Sequence, residues 1–293
     1  MYQGVSRSSE RAILQRLHEH DSAPEWDSFI VSSRQDAILG FAHVWRASED
    51  EVRLFARTHP EAVGRGVGAW LLELCEARAR VICAEHPKSA GKKRLTTTNW
   101  AADTRAPALL EQRGFAPIRY FLKMEIAADK VADSCPPLPA GVEFRLLAED
   151  GSDEQPIYEA WLAAFTCHFG PAPSDLAAFW DERRNARREG PFRFEPSLWW
   201  IATDSGRIVG FSLCSESAAD GTHIGRIDEI GVVPDWRAQG LGYAILLRSF
   251  RELKQRGAKM IVLDVDAENV TSAIRLYVKA GMTPGAVLYD LGK

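Results

Sequence analysis

From Leu241 to Leu253 apolar side chains recur at Leu241, Ile245, Leu246, Phe250 and Leu253, three to four residues apart, with polar residues between them. That period predicts an amphipathic helix with one buried face, stopped at Gly257. PIYEAWLAAFTCHF (156–169) and SDLAAFWDERRNARRE (174–189) carry the same period and predict two more helices. SLWWIATD, RIVGFSLCSE and RIDEIGVV are short β-rich runs, and KMIVLDVD (259–266) is another. A last helix is expected over NVTSAIRLYVKAG, opened by Asn269 and closed by Gly281. The pattern is α/β, with strands first and a strand–turn–helix at its centre.

The first half repeats this order. GFAHVW (40–45) matches GFSLCS (210–215), VGRGVGAWLLELCEARARV (63–81) matches RAQGLGYAILLRSFRELKQRG (237–257), and APALLEQRGFAP (106–117) matches SAIRLYVKAGMTP (272–284). Offsets between the halves stay close: 170 residues at Gly40 and Gly210, 174 at Gly66 and Gly240, 167 at Gly114 and Gly281. Steady offsets imply duplication of one unit. Between the copies lies a small, polar, proline-rich stretch, AADKVADSCPPLPAGVEF (127–144), which reads as a linker. The expected organisation is a first domain over 1–128, a linker over 129–141 and a second domain over 142–293.

Composition narrows the class. The chain of 293 residues is 46% hydrophobic and 26% charged, the usual mix of a globular protein. A net charge of -4 argues against nucleic acid as a partner, because phosphate backbones call for a basic field. No stretch reaches the roughly 18 apolar residues of a membrane span, and MYQGVSRSSERAILQRL lacks the core of a signal peptide. Five scattered cysteines without CxxC spacing argue against a disulfide framework or a zinc site, and the seven histidines show no ligand spacing. The reading is a cytoplasmic protein without a metal, monomeric or homodimeric.

Candidate chemistry begins at DWRAQGLGYA (235–244). Glycines at the mouth of a helix expose unpaired N–H groups at its positive end, which suits an anion such as a phosphate. Gly240 and Gly242 allow close backbone approach, and Arg237 supplies a charge or a brace. The third glycine of a dinucleotide fingerprint is missing, and so is the GKS or GKT of a P-loop.

IGVVPDWRAQGLGYAILL (230–247) resembles the signature of the GNAT acyltransferase superfamily, (Q/R)xxGx(G/A), carried here by Arg237 to Gly242. DAENVTSAIRLYVKAGM (266–282) resembles its second motif, NxxAxxLYxxxGF, through Asn269, Ala273, Leu276, Tyr277 and Gly281, with Met282 where Phe is commoner. Because both halves share the pattern, the chain resembles a tandem GNAT protein of the mycothiol synthase arrangement. The resemblance implies two α/β (α+β mixed) domains, each a mostly antiparallel twisted sheet splayed at its centre and flanked by helices.

It also implies acetyl-CoA as acyl donor. The diphosphate would lie on the loop formed by Arg237, Ala238, Gln239, Gly240, Leu241, Gly242 and Tyr243, and Asn269 would belong to the same site. The pantetheine amides would pair with the backbone of Ile230, Gly231 and Val232. Tyr277 falls where the family often has the tyrosine that protonates the departing sulfur. For the base, Asp228 and Glu229 lie on the strand entering the loop, and both stay open. Arg226 stands where several relatives carry a glutamate. Plain alternation puts Asp228 on the face of Arg226 and Glu229 opposite; the bulge common in this family would reset that parity.

The first half has Val63 at the position of Arg237, Leu110 at that of Tyr277 and Ala102 at that of Asn269, and reads as lacking the chemistry. The function that follows is N-acetylation of the primary amine of a small molecule, by direct transfer in a ternary complex, with the C-terminal half active. Two alternatives are a CoA-binding regulatory or scaffold protein and a protein N-terminal acetyltransferase. His168 with Phe165, Phe169 and Phe179 lies where an acceptor site is expected, while Cys167 and Cys214 read as buried thiols.

Overall fold

A computed structural model describes residues 27–86, 93–166, 172–185, 195–217, 222–268 and 273–293. Two compact units emerge, one of residues 1–120 with 286–293, the other of residues 121–285.

The N-terminal unit contains β1 (Ser28–Ser32), β2 (Ile38–Arg46), β3 (Glu51–Thr58), α1 (Val67–Glu85), β4 (Arg94–Trp100) and α2 (Arg105–Gln112). Its sheet runs β1-β2-β3-β4 and continues into β11 (Thr283–Gly292), the last strand of the chain. Pairing is antiparallel except between β3 and β4, which run parallel through three rungs, from Glu51 opposite Arg94 to Arg53 opposite Thr96. Val44, Leu54, Leu71, Cys75, Phe115 and Leu291 form its core. The final residue is tied in as well: Lys293 Nζ lies 2.8 Å from Glu76 Oε1, and Arg113 donates two 3.0 Å hydrogen bonds to the same carboxylate.

The C-terminal unit takes the latter part of β5 (Ala116–Ala127), then β6 (Val142–Leu146), α3 (Glu154–Ala164), α4 (Leu176–Asn185), β7 (Trp199–Asp204), β8 (Arg207–Ser217), β9 (Ile224–Val232), α5 (Leu241–Gln255), β10 (Met260–Asp266) and α6 (Ala273–Lys279). Its strand order is β5-β10-β9-β8-β7-β6. Again one pair is parallel: β9 and β10 share three rungs, from Ile224 opposite Met260 to Arg226 opposite Val262. Each unit's strands are therefore mostly antiparallel and splayed at the centre, as the family resemblance implies.

The repeated Gly-Phe has a packing cause. A β-carbon on Gly210 would come within 2.6 Å of Ile245 Cδ1, and one on Gly40 within 2.8 Å of Val67 Cγ1. Each glycine lets the helix after the loop lie directly on the strand, where Leu241, Ile245, Phe250 and Leu253 of α5 are fully buried.

The domain boundaries differ from those expected. The partition falls at Phe121, not after residue 128, because Phe121–Ala127 pairs antiparallel with β10. The chain end from Ala286 belongs with the N-terminal unit, because Leu288–Gly292 pairs with β4. The stretch read as a linker lies along the C-terminal unit. Val131 is buried beside Phe250 and Leu253, and α5 holds the segment through Lys254 Nζ to the Val131 carbonyl and Arg248 to the Pro136 carbonyl.

Candidate active site

The loop between β9 and α5 is built by backbone conformation. Pro234–Trp236 makes one 3₁₀ turn, Ala238 adopts φ 60° and Gly240 φ 84°, both in the left-handed region. Gly240 caps α5 with no side-chain hydrogen bond, and the first helical bond recorded there runs from Ala244 N to the Gly240 carbonyl. The amides of Leu241, Gly242 and Tyr243 thus stand at the positive end of α5, ahead of that bond. Uncapped N–H groups at the start of a helix suit an anion. A β-carbon at Gly240 would meet nothing within 4 Å, so its φ, not crowding, demands glycine.

Arg237 acts on the loop as a brace. Its Nε donates to the Val232 carbonyl at 3.1 Å and its Nη2 to the Ala164 carbonyl at 2.8 Å, tying the end of β9 to the end of α3. Gln239 turns inward as well, donating to the Asp235 carbonyl at 2.9 Å. Lys279 of α6 lies 4.6 Å from the centre of the Tyr243 ring.

Upstream, β9 passes its last rung with β10 at Arg226, so Ile230, Gly231 and Val232 lie beyond that pairing while keeping register with β8. On the β8 side there is a bulge: Leu213 faces Glu229 and Cys214 faces Ile227, leaving Asp228 as the extra residue. The bulge resets the alternation. Glu229, opposite Leu213, comes onto the same face as Arg226, opposite Ser215, and meets α3 and α4, while Asp228 Oδ1 lies 3.3 Å from Arg226 Nε.

The two carboxylates have different surroundings. Glu229 accepts from Trp161 Nε1 at 2.7 Å and from Arg183 Nη2 at 2.8 and 2.9 Å. Arg183 is itself buried, with its guanidinium 3.6 Å from the centre of the Phe179 ring. Glu229 is thus bound into the helix–sheet interface. Asp228 lies next to Arg226, which also reaches Asp264 on β10 at 2.7 Å. Beside them Ser215, the cross-strand partner of Arg226, is fully buried with a hydroxyl that has no hydrogen-bond partner among the described residues. The pairing of Arg226 with Asp264 is not visible in the sequence pattern. The signal was present only in Arg226, the conspicuous departure from the family pattern.

Tyr277 is buried in the core formed by β10, α5 and Met282. Burial pushes its hydroxyl up to about 12, so the phenol keeps its proton across the working pH range. Leu110 lies equally deep at the matching position of the N-terminal unit. Cys214 is buried in the core. Asn269, Cys167, His168 and Phe169 lie outside the described residues. Among the described residues no group of His, Cys, Asp or Glu could hold a metal, and no helix is long and apolar enough to cross a membrane.

A family model described as "Acetyltransferase (GNAT) family" matches residues 155–282. Mycothiol acetyltransferase of Arthrobacter sp. (strain FB24) is 30% identical over 271 residues, spanning 89% of this chain and 75% of that one. The chain belongs to the GNAT acetyltransferase family. A mycothiol acetyltransferase of Saccharopolyspora erythraea is likewise 30% identical, over 94% of this chain and 91% of its own. Among solved structures, a GCN5-related N-acetyltransferase from Sphaerobacter thermophilus superposes with a TM-score of 0.78 at 28% identity, covering 96% of this chain and 84% of the other. A tandem GNAT protein from the clavulanic acid biosynthesis pathway superposes with a TM-score of 0.68 at 16% identity, covering 91% and 82%, and shares the fold. This GNAT protein is an N-acetyltransferase, and its acyl donor is acetyl-CoA.

Proposed function

We propose that the C-terminal unit acetylates the primary amine of a small molecule by direct transfer within a ternary complex. The observation that carries this reading is the loop heading α5, which offers left-handed backbone and uncapped amides beside the open end of the β9–β10 splay. Residues Arg237 to Tyr243 would receive the diphosphate, and the backbone of Ile230, Gly231 and Val232 the pantetheine amides, with Asn269 at the same site. A strand rises about 3.3 Å per residue, so the stretch from Val232 back to Asp228 suits an extended pantetheine arm. The family match over 155–282 supports this half as the active one. The activity named for the mycothiol acetyltransferases supports a small-molecule acceptor over a protein amino terminus.

The bound donor supplies an acetyl group already activated as a thioester. Asp228 takes a proton from the incoming amine, directly or through water, as nitrogen bonds to the acetyl carbon. Tyr277, held neutral by burial, gives its proton to the sulfur as the carbon–sulfur bond breaks. The products are an amide and a free thiol. Of the two carboxylates, Asp228 suits the base because Glu229 is occupied by Trp161 and Arg183.

The test is a calorimetric titration of the full chain with acetyl-CoA, followed by a thiol-release screen of small primary amines. One-to-one binding that is lost on replacing Gly240, together with turnover of an amine in the screen, is the expected result. Binding that survives at Gly240 and disappears on replacing Gly66 would move the site to the other unit.

A further inference from the structure

Arg226 sits at the last rung between β9 and β10, opposite Val262, at the vertex of the splay. Its guanidinium reaches carboxylates on two strands: Nε lies 3.3 Å from Asp228 Oδ1 on β9, and Nη2 lies 2.7 Å from Asp264 Oδ2 on β10, two residues past the rung. The side chain of Asp228 is 12% exposed and that of Asp264 37%, so the arginine spans from a wet carboxylate to a shielded one. Asp228 is the extra residue of the bulge and has no facing residue on β8. A bulge residue is not held by the ladder, and its direction depends on what its side chain meets.

The N-terminal unit provides an internal control. Counting from Gly40 opposite Thr58, five rungs bring β3 to Arg53; counting from Gly210 opposite Val232, five rungs on β8 bring β9 to Arg226. Arg53 is the counterpart of Arg226, but β3 has no bulge, and Arg53 binds Glu51 and Asp290. At the position of Asp264 stands Thr98, likewise two residues past the last rung. A vertex arginine is common to both units. Arg53 is likewise held between carboxylates on two strands, Glu51 on β3 and Asp290 on β11; the carboxylate inserted two residues after the arginine belongs to the C-terminal unit alone.

We propose that Arg226, anchored by Asp264, is a positioning residue that holds Asp228 as an oriented carboxylate at the point where the amine loses its proton. This rests on Asp228 being the base. Other charged groups lie nearby, among them Glu125 of β5, opposite Val262. Glu229 and Arg183 neutralise one another, and Lys123 of β5 lies opposite Asp264 in the β5–β10 pairing.

The experiment measures the titration midpoint of the Asp228 carboxyl by NMR of the full-length protein labelled with ¹³C-aspartate. Asp228→Asn identifies the signal, and no acceptor is required. Deleting a cation beside a carboxylate disfavours its ionised form, so Arg226→Gln should raise the midpoint, by about one pH unit for a part-exposed pair. Asp264→Asn removes a like charge and should lower it. Arg226→Lys should restore most of the midpoint while losing the fixed two-ended geometry. With acetyl-CoA and the amine found in the screen, kcat should fall about tenfold to a hundredfold in Arg226→Gln, with the KM for acetyl-CoA unchanged.

Midpoints that stay put in both Arg226→Gln and Asp264→Asn overturn the positioning role, and the exposed Asp264 makes the second variant safe for folding. Full turnover in Asp228→Asn instead overturns the base assignment beneath it.

Discussion

Gly66 and Gly240 head helices of the same build, with φ of 82° and 84° and no side-chain cap at either. Gly64 and Ala238 precede them in the same left-handed region, so the two loops share one backbone path although their sequences differ. The vertex arginines Arg53 and Arg226 also correspond. What separates the units is a handful of side chains. Leu110 stands for Tyr277 and Thr98 for Asp264, and Asp228 has no counterpart because β3 lacks the bulge. The lesson concerns what a duplicated scaffold keeps. An anion-receptive loop is written in backbone dihedrals, which many sequences satisfy, whereas proton transfer depends on single groups that one substitution or one missing residue removes.

The largest test of this comparison is removal of residues 286–293. Loss of β11 strips β4 of its antiparallel partner, uncovers the core at Leu291 and frees Glu76 from Lys293. Hydrogen exchange should show the N-terminal unit losing protection outright, a cost on the order of the 5–15 kcal/mol that holds a domain. The β5–β10 pairing should keep its protection. Protection retained in β4 would mean that the unit does not need its last strand.

Next in size is the difference at the final helix. Tyr277→Phe should lower kcat about a hundredfold and leave acetyl-CoA binding unchanged, as expected for removal of a general acid. Equal turnover in the variant would reduce Tyr277 to the packing role that Leu110 has.

A smaller contrast lies in the loops. A β-branched residue forced into the left-handed region costs roughly 1–2 kcal/mol. Gly240→Val should therefore weaken acetyl-CoA binding about tenfold or more by calorimetry. Gly66→Val should lower thermal stability to a similar degree while leaving turnover intact.

The smallest effect concerns acid stability. Hydrogen bonds from Arg145 hold the Asp153 carboxyl below its usual range, and the Ala148 amide adds to this. A depressed folded value means that Asp153 stabilises fully above the ordinary carboxylate range, and that this contribution fades as pH falls through the folded value. In the N-terminal unit, burial pushes Glu76 up, but Arg113 and Lys293 more than offset it and leave it lowered too. Thermal melts should show both units losing stability on acidification. Asp153→Asn should cost about 1–2 kcal/mol at neutral pH and flatten the acid response of the C-terminal unit alone.

The backbone frame of the candidate site was legible in the letters. Loop and last helix sit where their glycines put them, at Gly240 and Gly281, because a helix entry or exit through a left-handed residue leaves a local mark. Arg237 was read as charge or brace, and its bonds to Val232 and Ala164 make it the brace. The carboxylates were another matter. Asp228 and Glu229 are adjacent and chemically alike, and nothing near them in the chain announces that Arg183, 46 residues away, takes one of them. Asp264 went unnoticed because its meaning depends on Arg226, a neighbour only across two strands.

Duplication, α/β class and the glycine turn heading a helix could be derived from the amino-acid sequence, since periodicity and turn chemistry act over a few residues; the splayed sheet came only with the family resemblance. Tertiary structure decided which strand completes which unit, where β9 bulges and which carboxylate remains beside the arginine. Those outcomes depend on register and on packing between segments far apart in the chain. A single inserted residue changes such pairings without altering the local pattern that a reader of the sequence sees.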